Sequence, residues 1–391
     1  METTTRNATL ADLRDMLMEQ QARKVDVIAP ASQITAVNGS LRVAGSEPVI
    51  TPDGVTSADG MYRPTEVCDE GVASKLDIPP SYLKRLRQVR PDLYDANVNG
   101  WLHGNAEADS DARNFLVRLF RGDDGGEGIA RAFLSDRFAI IDHLDALMAA
   151  MQGVQQAGVT VTVKGCDLSD RRMYVKVEAP EVKAYAPEIL RGYRSPFTGA
   201  SGSDNPTVFA GFVISNSETG GGALSIAPRI TVQVCSNGMT VTKDALRAVH
   251  LGGKNEEGVI RWSQDTNDKT LDLITAKARD AVATFVNVDY MRRVLDGMAE
   301  AASVKIARPD EVVRSVTKRL AFSQEAQDQV FSMFIEGGQI TAGGVMQAVT
   351  AAAQTVGSAD ESAEMESQAF RALELAAAQW PTATRRGSRH E

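Results

Sequence analysis

The chain has 391 residues, 43% hydrophobic and 24% charged, an ordinary globular composition for one large domain or about two to three smaller ones. Its formal net charge of -9 excludes wholesale coating of nucleic acid, which needs many Lys and Arg contacts to phosphate, and leaves only a local basic patch for such a role. No run reaches the roughly 18 apolar residues of a membrane span, and the start METTTRNATLADLRDMLMEQ lacks the basic-then-apolar order of a signal peptide, so a cytoplasmic protein with no membrane partner is expected.

Residues 9 to 22, TLADLRDMLMEQQA, place Leu10, Leu13 and Leu17 at helical spacing, with Thr9 or a neighbour available as a cap. Between Val25 and Met61, short apolar stretches such as VDVIAP and SLRVAG alternate with Gly, Pro, Ser and Asn, the pattern of short strands and turns. Residues 66 to 90, EVCDEGVASKLDIPPSYLKRLRQVR, read as two helices about a tight turn. Val72, Ala73, Leu76, Ile78, Leu83 and Leu86 have the offsets of a helix-turn-helix, Asp77 stands at the turn, and Pro79 and Pro80 open the second helix.

From Gly128 the run GIARAFLSDRFAIIDHLDALMAAMQ predicts a strand and then a helix with Ile141, Leu144 and Met148 on one side. Val159, Val161 and Val163, then Met173, Val175 and Val177, alternate with polar residues and predict a β-hairpin with one buried face. After the Gly/Ser-rich loop TGASGSDN come VFAGFVISNS, ETGGG and ALSIAPRITVQVCSNGMTV, in which Ile230, Val232 and Val234 oppose Thr231, Gln233 and Cys235, and Asn237-Gly238 is a two-residue hairpin signal. An antiparallel sheet of about four to six strands follows from these runs.

Past Arg261 the pattern is helical. NDKTLDLITAKARDAVATFVNVDYMRRVLDGMAEAA has no proline and places Leu271, Ile274, Ala278, Val282 and Phe285 on one stripe, which predicts a single long helix. Shorter helices are expected at 310 to 322, 323 to 337 and 341 to 355, and a disordered tail from Pro381. The reading is an α+β fold. A mixed N-terminal region with a helix-turn-helix-like pair spans 1–125, a central antiparallel sheet with hairpins 126–265, and a helical region 266–380, ahead of the tail 381–391.

Catalytic and metal motifs fail on their spacing. Cys68, Cys166 and Cys235 are odd in number and never within ligand distance of one another or of His103, His143, His250 or His390, so neither disulfide nor zinc is expected. TGASGSD has Ser203 where a nucleophile elbow needs its second Gly, and Gly252-Gly253-Lys254 is followed by Asn255, which has no hydroxyl for magnesium. Asp136, Asp142, His143 and Asp145 cluster, but acids at a helix start serve the helix dipole. No catalytic residue, metal ligand or cofactor is assigned.

Three sets of polar residues are candidates for binding. The stretch Ser81–Arg90 carries Lys84, Arg85, Arg87 and Arg90 without an acid, a basic helix suited to phosphate or base edges. Lys164, Arg171, Arg172 and Lys176 lie on or beside the first hairpin, with Tyr174 available for base stacking on its polar face. Ser215, Asn216 and Ser217 precede Glu218 and a glycine triplet, where backbone amides suit either an anion or a hairpin turn.

Several stretches together resemble the phage/plasmid-like protein family, a domain of unknown function: LDIPPSYLKRL with DANVNGWL, RAFLSDRFAIID, GFVISNSETGGGALSIAPRITVQVCSNGMT, and GGQITAGGVMQAVTAAAQ. They span about residues 66 to 355, and SNSETG with CSNGM is the most specific block. The resemblance implies a phage or plasmid origin, hence the cytoplasm of a bacterial host, and supplies no active site. A sheet with a projecting hairpin followed by a long helix also looks like the core of single-strand annealing proteins, which oligomerise around DNA. The expectation is a non-enzymatic mobile-element protein that binds or anneals single-stranded DNA as a homo-oligomer in recombination or replication. The alternatives are a duplex-reading regulator that uses Ser81–Arg90 as its recognition helix, and a protein acting on a small phosphorylated ligand near Ser215–Gly222.

Overall fold

The computed structural model describes residues 3–51, 54–104, 111–138, 140–233, 238–240, 246–248 and 264–378. Val234, Cys235 and Asn237 of the expected hairpin, the Gly252–Lys254 turn and the tail 381–391 lie outside the described residues. The fold is α+β, as the alternation of patterns predicts.

The N-terminal strand β1 (Thr5–Ala8) precedes helix α1 (Leu10–Arg23). Thr9 and Asp12 form both halves of a capping box, each side chain accepting the other's backbone N–H at 3.2 Å. There follow β2 (Lys24–Pro30), β3 (Ile34–Val37), β4 (Ser40–Val43), the small hairpin β5 (Val49–Thr51) and β6 (Gly54–Thr56), and β7 (Gly60–Pro64). Three helices, α2 (Glu66–Leu76), α3 (Pro80–Val89) and α4 (Pro91–His103), separate these from β8 (Asn114–Phe120) and β9 (Gly128–Ser135). One sheet takes the order β2-β8-β9-β7-β4-β3, antiparallel except where β7 runs parallel to β9. Val25, Val27 and Ala29 of β2 alternate inward and share a core with Phe115, Phe133, Val72 and Tyr94.

The helix-turn-helix-like pair is present as read. Asp77 adopts the left-handed conformation at φ 55°, the Ile78 N–H donates to the Ala73 carbonyl at 2.8 Å, and Pro80 occupies the first turn of α3. Val72, Ala73, Leu76, Ile78, Leu83 and Leu86 are all buried. α4 closes the unit as a third helix beyond the predicted pair, and α3 is left outermost, packed chiefly on its two neighbours.

Helix α5 (His143–Gln156) leads to β10 (Thr162–Leu168), β11 (Met173–Tyr185), the single turn α6 (Pro187–Leu190), β12 (Thr207–Asn216) and β13 (Leu224–Val232). Short β14 (Gly238–Thr240) and β15 (Leu246–Ala248) both pair with β13. The second sheet is antiparallel in the order β1-β10-β11-β12-β13-β14. Val175, Ile230 and Val232 face the core as predicted, whereas β10 starts only at Thr162 and leaves Val161 partly buried.

The C-terminal helices are α7 (Gln264–Phe285), α8 (Val288–Ser303), α9 (Pro309–Arg319), α10 (Gln324–Gly337), α11 (Ala342–Ala352) and α12 (Ala359–Ala378). The predicted single long helix is in fact two. Asn287 accepts the N–H groups of Asp289 and Tyr290 and so starts α8 afresh, a cap that the absence of proline concealed. The stripe on α7 stands, with Ile274, Ala278, Val282 and Phe285 buried against the second sheet.

The inner stripe of α5 also differs from the expectation. Ala146, Leu147, Ala150 and Val154 are buried while Met148 is 60% exposed. Side-chain size misled here, because α5 and α7 approach closely enough that a Cβ on Gly153 would lie 2.5 Å from the Thr275 carbonyl oxygen. The contact therefore selects alanine and glycine over the larger apolar residues.

Candidate functional site

The polar face of the β10–β11 hairpin is not an open ribbon. α12 lies across it, so Tyr174 is 7% exposed and its hydroxyl donates to Asp360 at 2.9 Å. Burial and that carboxylate push the phenol well above its ordinary range. Lys176 stands between Asp167 at 3.4 Å and Glu366 at 3.5 Å, and Glu366 also takes Arg229 at 3.1 Å. Lys164 meets Glu178 at 3.4 Å, and Arg171 pairs with Glu70 at 2.5 Å. Tyr174 and Lys176 of the expected exposed row thus lie in a groove beneath α12, while Lys164 stays exposed, and the row's lysines and Arg171 are compensated by carboxylates.

Arg172 differs from these. Its Nε donates to the Gly221 carbonyl oxygen at 3.0 Å, its Nη2 donates to the same oxygen, and no carboxylate pairs with it among the described residues. The glycines explain how the arginines fit. A Cβ on Gly221 would lie 2.7 Å from Arg171 Cγ, and one on Gly222, at φ +143°, would collide with the Arg172 guanidinium. The turn SDRR and the triplet GGG are two halves of one interlocked loop pair.

Ser215, Asn216 and Ser217 do not form an open anion-binding turn. Asn216 and Ser217 have no exposed surface. The Asn216 Nδ2 donates to the Ile141 carbonyl at 2.9 Å, and Ser217 Oγ donates to the Arg171 carbonyl at 2.7 Å while accepting the Gly221 N–H at 2.8 Å. The Gly221 N–H, one of the backbone amides expected to be free, is taken up within the loop. Ser215 alone faces the groove, sharing a 2.9 Å hydrogen bond with Ser225.

Glu218, next in the chain, belongs to a buried network that joins the two sheets. Arg118 of β8, wholly buried, binds Asp26 at 2.8 Å, Asp142 at 2.6 Å and the Glu218 carbonyl at 2.8 Å. Arg131 of β9 pairs with Glu218 and stacks 4.0 Å from the centroid of Phe120, while Lys24 pairs with Asp142. The Glu218 carboxylate also accepts the His143 N–H at 2.9 Å. Burial opposes ionisation of Asp142, but Arg118 and Lys24 outweigh it and hold the carboxyl below its ordinary range. Asp136, Asp142, His143 and Asp145 are therefore not one reacting centre. Asp142 and His143 serve the sheet junction, and Asp145 feels the charges of Asp142 and Lys24 but has no hydrogen bond or ion pair to them.

A cavity of about 700 Å³ lies between the second sheet and α12. Arg171, Arg172, Tyr174, Lys176 and Ser215, drawn from two separate sequence candidates, all line it. Ser225 and Ala227 of β13 form a floor of small side chains, and Glu361 and Glu364 of α12 also line it.

The basic helix α3 is divided by its packing. Arg87 Nε donates to Asp69 at 2.5 Å, and Tyr94 donates to the other oxygen of the same carboxylate at 3.1 Å. Burial raises the Asp69 carboxyl while Arg87 opposes the rise, so Arg87 is an internal counter-ion. Lys84 meets Glu66 at 2.7 Å, and Arg90 makes a forked pair with Asp92. Arg85 is exposed and has no ion pair among the described residues. Tyr82 (47% exposed) and Val89 lie three and four residues away on the same face, and Trp101 of α4 is 58% exposed. No signal in the pattern of α3 alone separates Arg85 from Arg87, since their distinction depends on Asp69 in α2.

Among the described residues no helix is long and apolar enough to cross a membrane, and no group of three His, Cys, Asp or Glu could hold a metal ion. No family model, curated protein or solved structure matches the chain.

Proposed function

We propose that the chain is a non-enzymatic, DNA-associated protein of a mobile element, as its likeness to the phage/plasmid-like family implies, and that it holds DNA on the outer face of α3. One observation carries the choice of face. Arg85 offers an uncompensated cation beside the exposed ring of Tyr82, whereas Arg87, Arg171, Lys164 and Lys176 each meet a carboxylate. A guanidinium for phosphate and a ring for a base are the two contacts that an unpaired strand needs. Single-stranded DNA is the preferred form because Tyr82 and Trp101 present surfaces on which splayed bases stack. Assembly as a homo-oligomer sets several such faces along one strand, which offsets the overall acidity of the chain.

A second reading, a regulator that reads duplex DNA, is favoured by the left-handed turn at Asp77 and the outermost position of α3, which presents Arg85 and Gln88 as a recognition helix does. Tryptophan fluorescence distinguishes the two. Titration with poly-dT quenches the emission of the parent and not that of Trp101→Phe, whereas a duplex leaves it unchanged. Quenching by duplex alone moves the assignment to the second reading, and binding of neither form contradicts both.

A further inference from the structure

The groove beneath α12 has the features of a small-molecule site that is separate from any DNA surface. Its volume, about 700 Å³, lies within the usual range for ligand pockets, and its floor is built from Ser215, Ser225 and Ala227, whose small side chains leave the space open. At one end the Arg172 guanidinium is half-buried and fixed by two hydrogen bonds to one carbonyl oxygen. It has no carboxylate partner among the described residues. A partly desolvated cation held in place by backbone is preorganised for an anionic group.

The wall formed by α12 carries the reverse charge. Glu361 accepts only from Ser323 Oγ, at 3.1 Å, and Glu364 from Gln368 Nε2, so neither carboxylate has a cationic partner among the described residues. The other charged groups of the lining are engaged: Arg171 with Glu70, Lys176 with Asp167 and Glu366, and Asp360 with Tyr174. What remains uncompensated in the lining is one guanidinium on the hairpin side and two carboxylates on the α12 side, over a floor of hydroxyls and methyls. Such a cavity repels a polyanion at its acidic wall, so it is not a continuation of a nucleic-acid track.

We infer that this cavity binds a small dipolar molecule, its phosphate or carboxylate on Arg172 and its ammonium group against Glu361 and Glu364. The Ser215 and Ser225 hydroxyls, which share a single hydrogen bond between them, have capacity left for the ligand.

Calorimetry and melting curves on the full chain test this with four probes: phosphoethanolamine and aminocaproate, which carry both charges, and inorganic phosphate and ethanolamine, which carry one each. The expected result is one molecule of a dipolar probe bound per chain, about tenfold more tightly than either half, with a melting temperature that rises with probe concentration. Arg172→Gln and Glu364→Gln should each weaken binding by about tenfold, the worth of one charge-assisted contact. Ala227→Leu fills the floor without removing a charge and should abolish binding. If Arg172→Gln fails to fold by circular dichroism, Glu364→Gln, at a solvent-exposed position of the cavity rim, decides the matter. Absence of binding by both dipolar probes at about 10 mM overturns the inference. So does equal affinity for the single-charge probes, or unaltered binding in Ala227→Leu.

Discussion

Single residues in this protein are often decided by partners that sequence neighbours do not reveal. Arg85 and Arg87 are two positions apart on one helix, yet Asp69 takes the second into the protein and leaves the first in solvent. Arg172 is held against a glycine backbone, and the run ETGGG, legible only as a turn, is required by the bulk of the two arginines above it. The buried carboxylates give a directional expectation with pH. For both Asp142 and Glu366 burial opposes ionisation, but the cations around them, Arg118 with Lys24 and Arg229 with Lys176, hold the folded carboxyls below their ordinary values of 3.8 and 4.5. A carboxyl whose folded value is depressed adds stability that is fully present above its unfolded value and is lost as the pH falls toward the folded one. Stability in urea should therefore fall as the pH drops below about 4.5, and the fall should be shallower in Glu366→Gln, which has already lost one of the two groups. An acid profile identical in the variant and the parent would contradict the depressed titration of Glu366.

At the scale of elements, local signals served where the partner is close in sequence. Thr9 capping α1, the Asp77 turn and the apolar offsets of α2 and α3 were all legible, because each contact spans only a few residues. The packing of α2 on α3 predicts that Ala73→Phe, at a site with no exposed surface, overpacks the pair and costs about 1–3 kcal/mol. A urea midpoint equal to that of the parent would rule out this packing. The polar face of β11 was misread for the opposite reason. Alternation shows that one face is apolar but not whether a helix nearly two hundred residues later, α12, covers the other. The break between α7 and α8 rests on the side chain of Asn287, a local signal that was present and outweighed by the unbroken apolar stripe. In α5 the inner face is made of alanines because α7 comes close, a tertiary demand that hydrophobic size cannot reveal.

Across the whole molecule, two sheets meet at a cluster of buried charges rather than at an apolar seam. Glu218, from the block SNSETG, is the acid that compensates Arg131, which burial and the like charge of Arg118 otherwise disfavour. Removal of one partner from a buried pair leaves an uncompensated charge. Glu218→Gln should accordingly destabilise the fold by about 3–5 kcal/mol in denaturant unfolding, and a loss below about 1 kcal/mol would mean that the junction is not held by this pair. The same junction explains why the candidate anion turn is internal, and it leaves the three-helix unit α2–α4 as the part of the N-terminal half that presents rings and a free cation outward. The central claim, that DNA is held on the outer face of α3, is tested most directly by the affinity of Arg85→Ala for poly-dT measured across a series of salt concentrations. The account predicts weaker binding, a salt dependence flattened by about one counterion per chain, and a melting curve within about 0.5 kcal/mol of the parent. Parental affinity and slope in Arg85→Ala, or loss of both only in Arg171→Ala, Arg172→Ala, would contradict it.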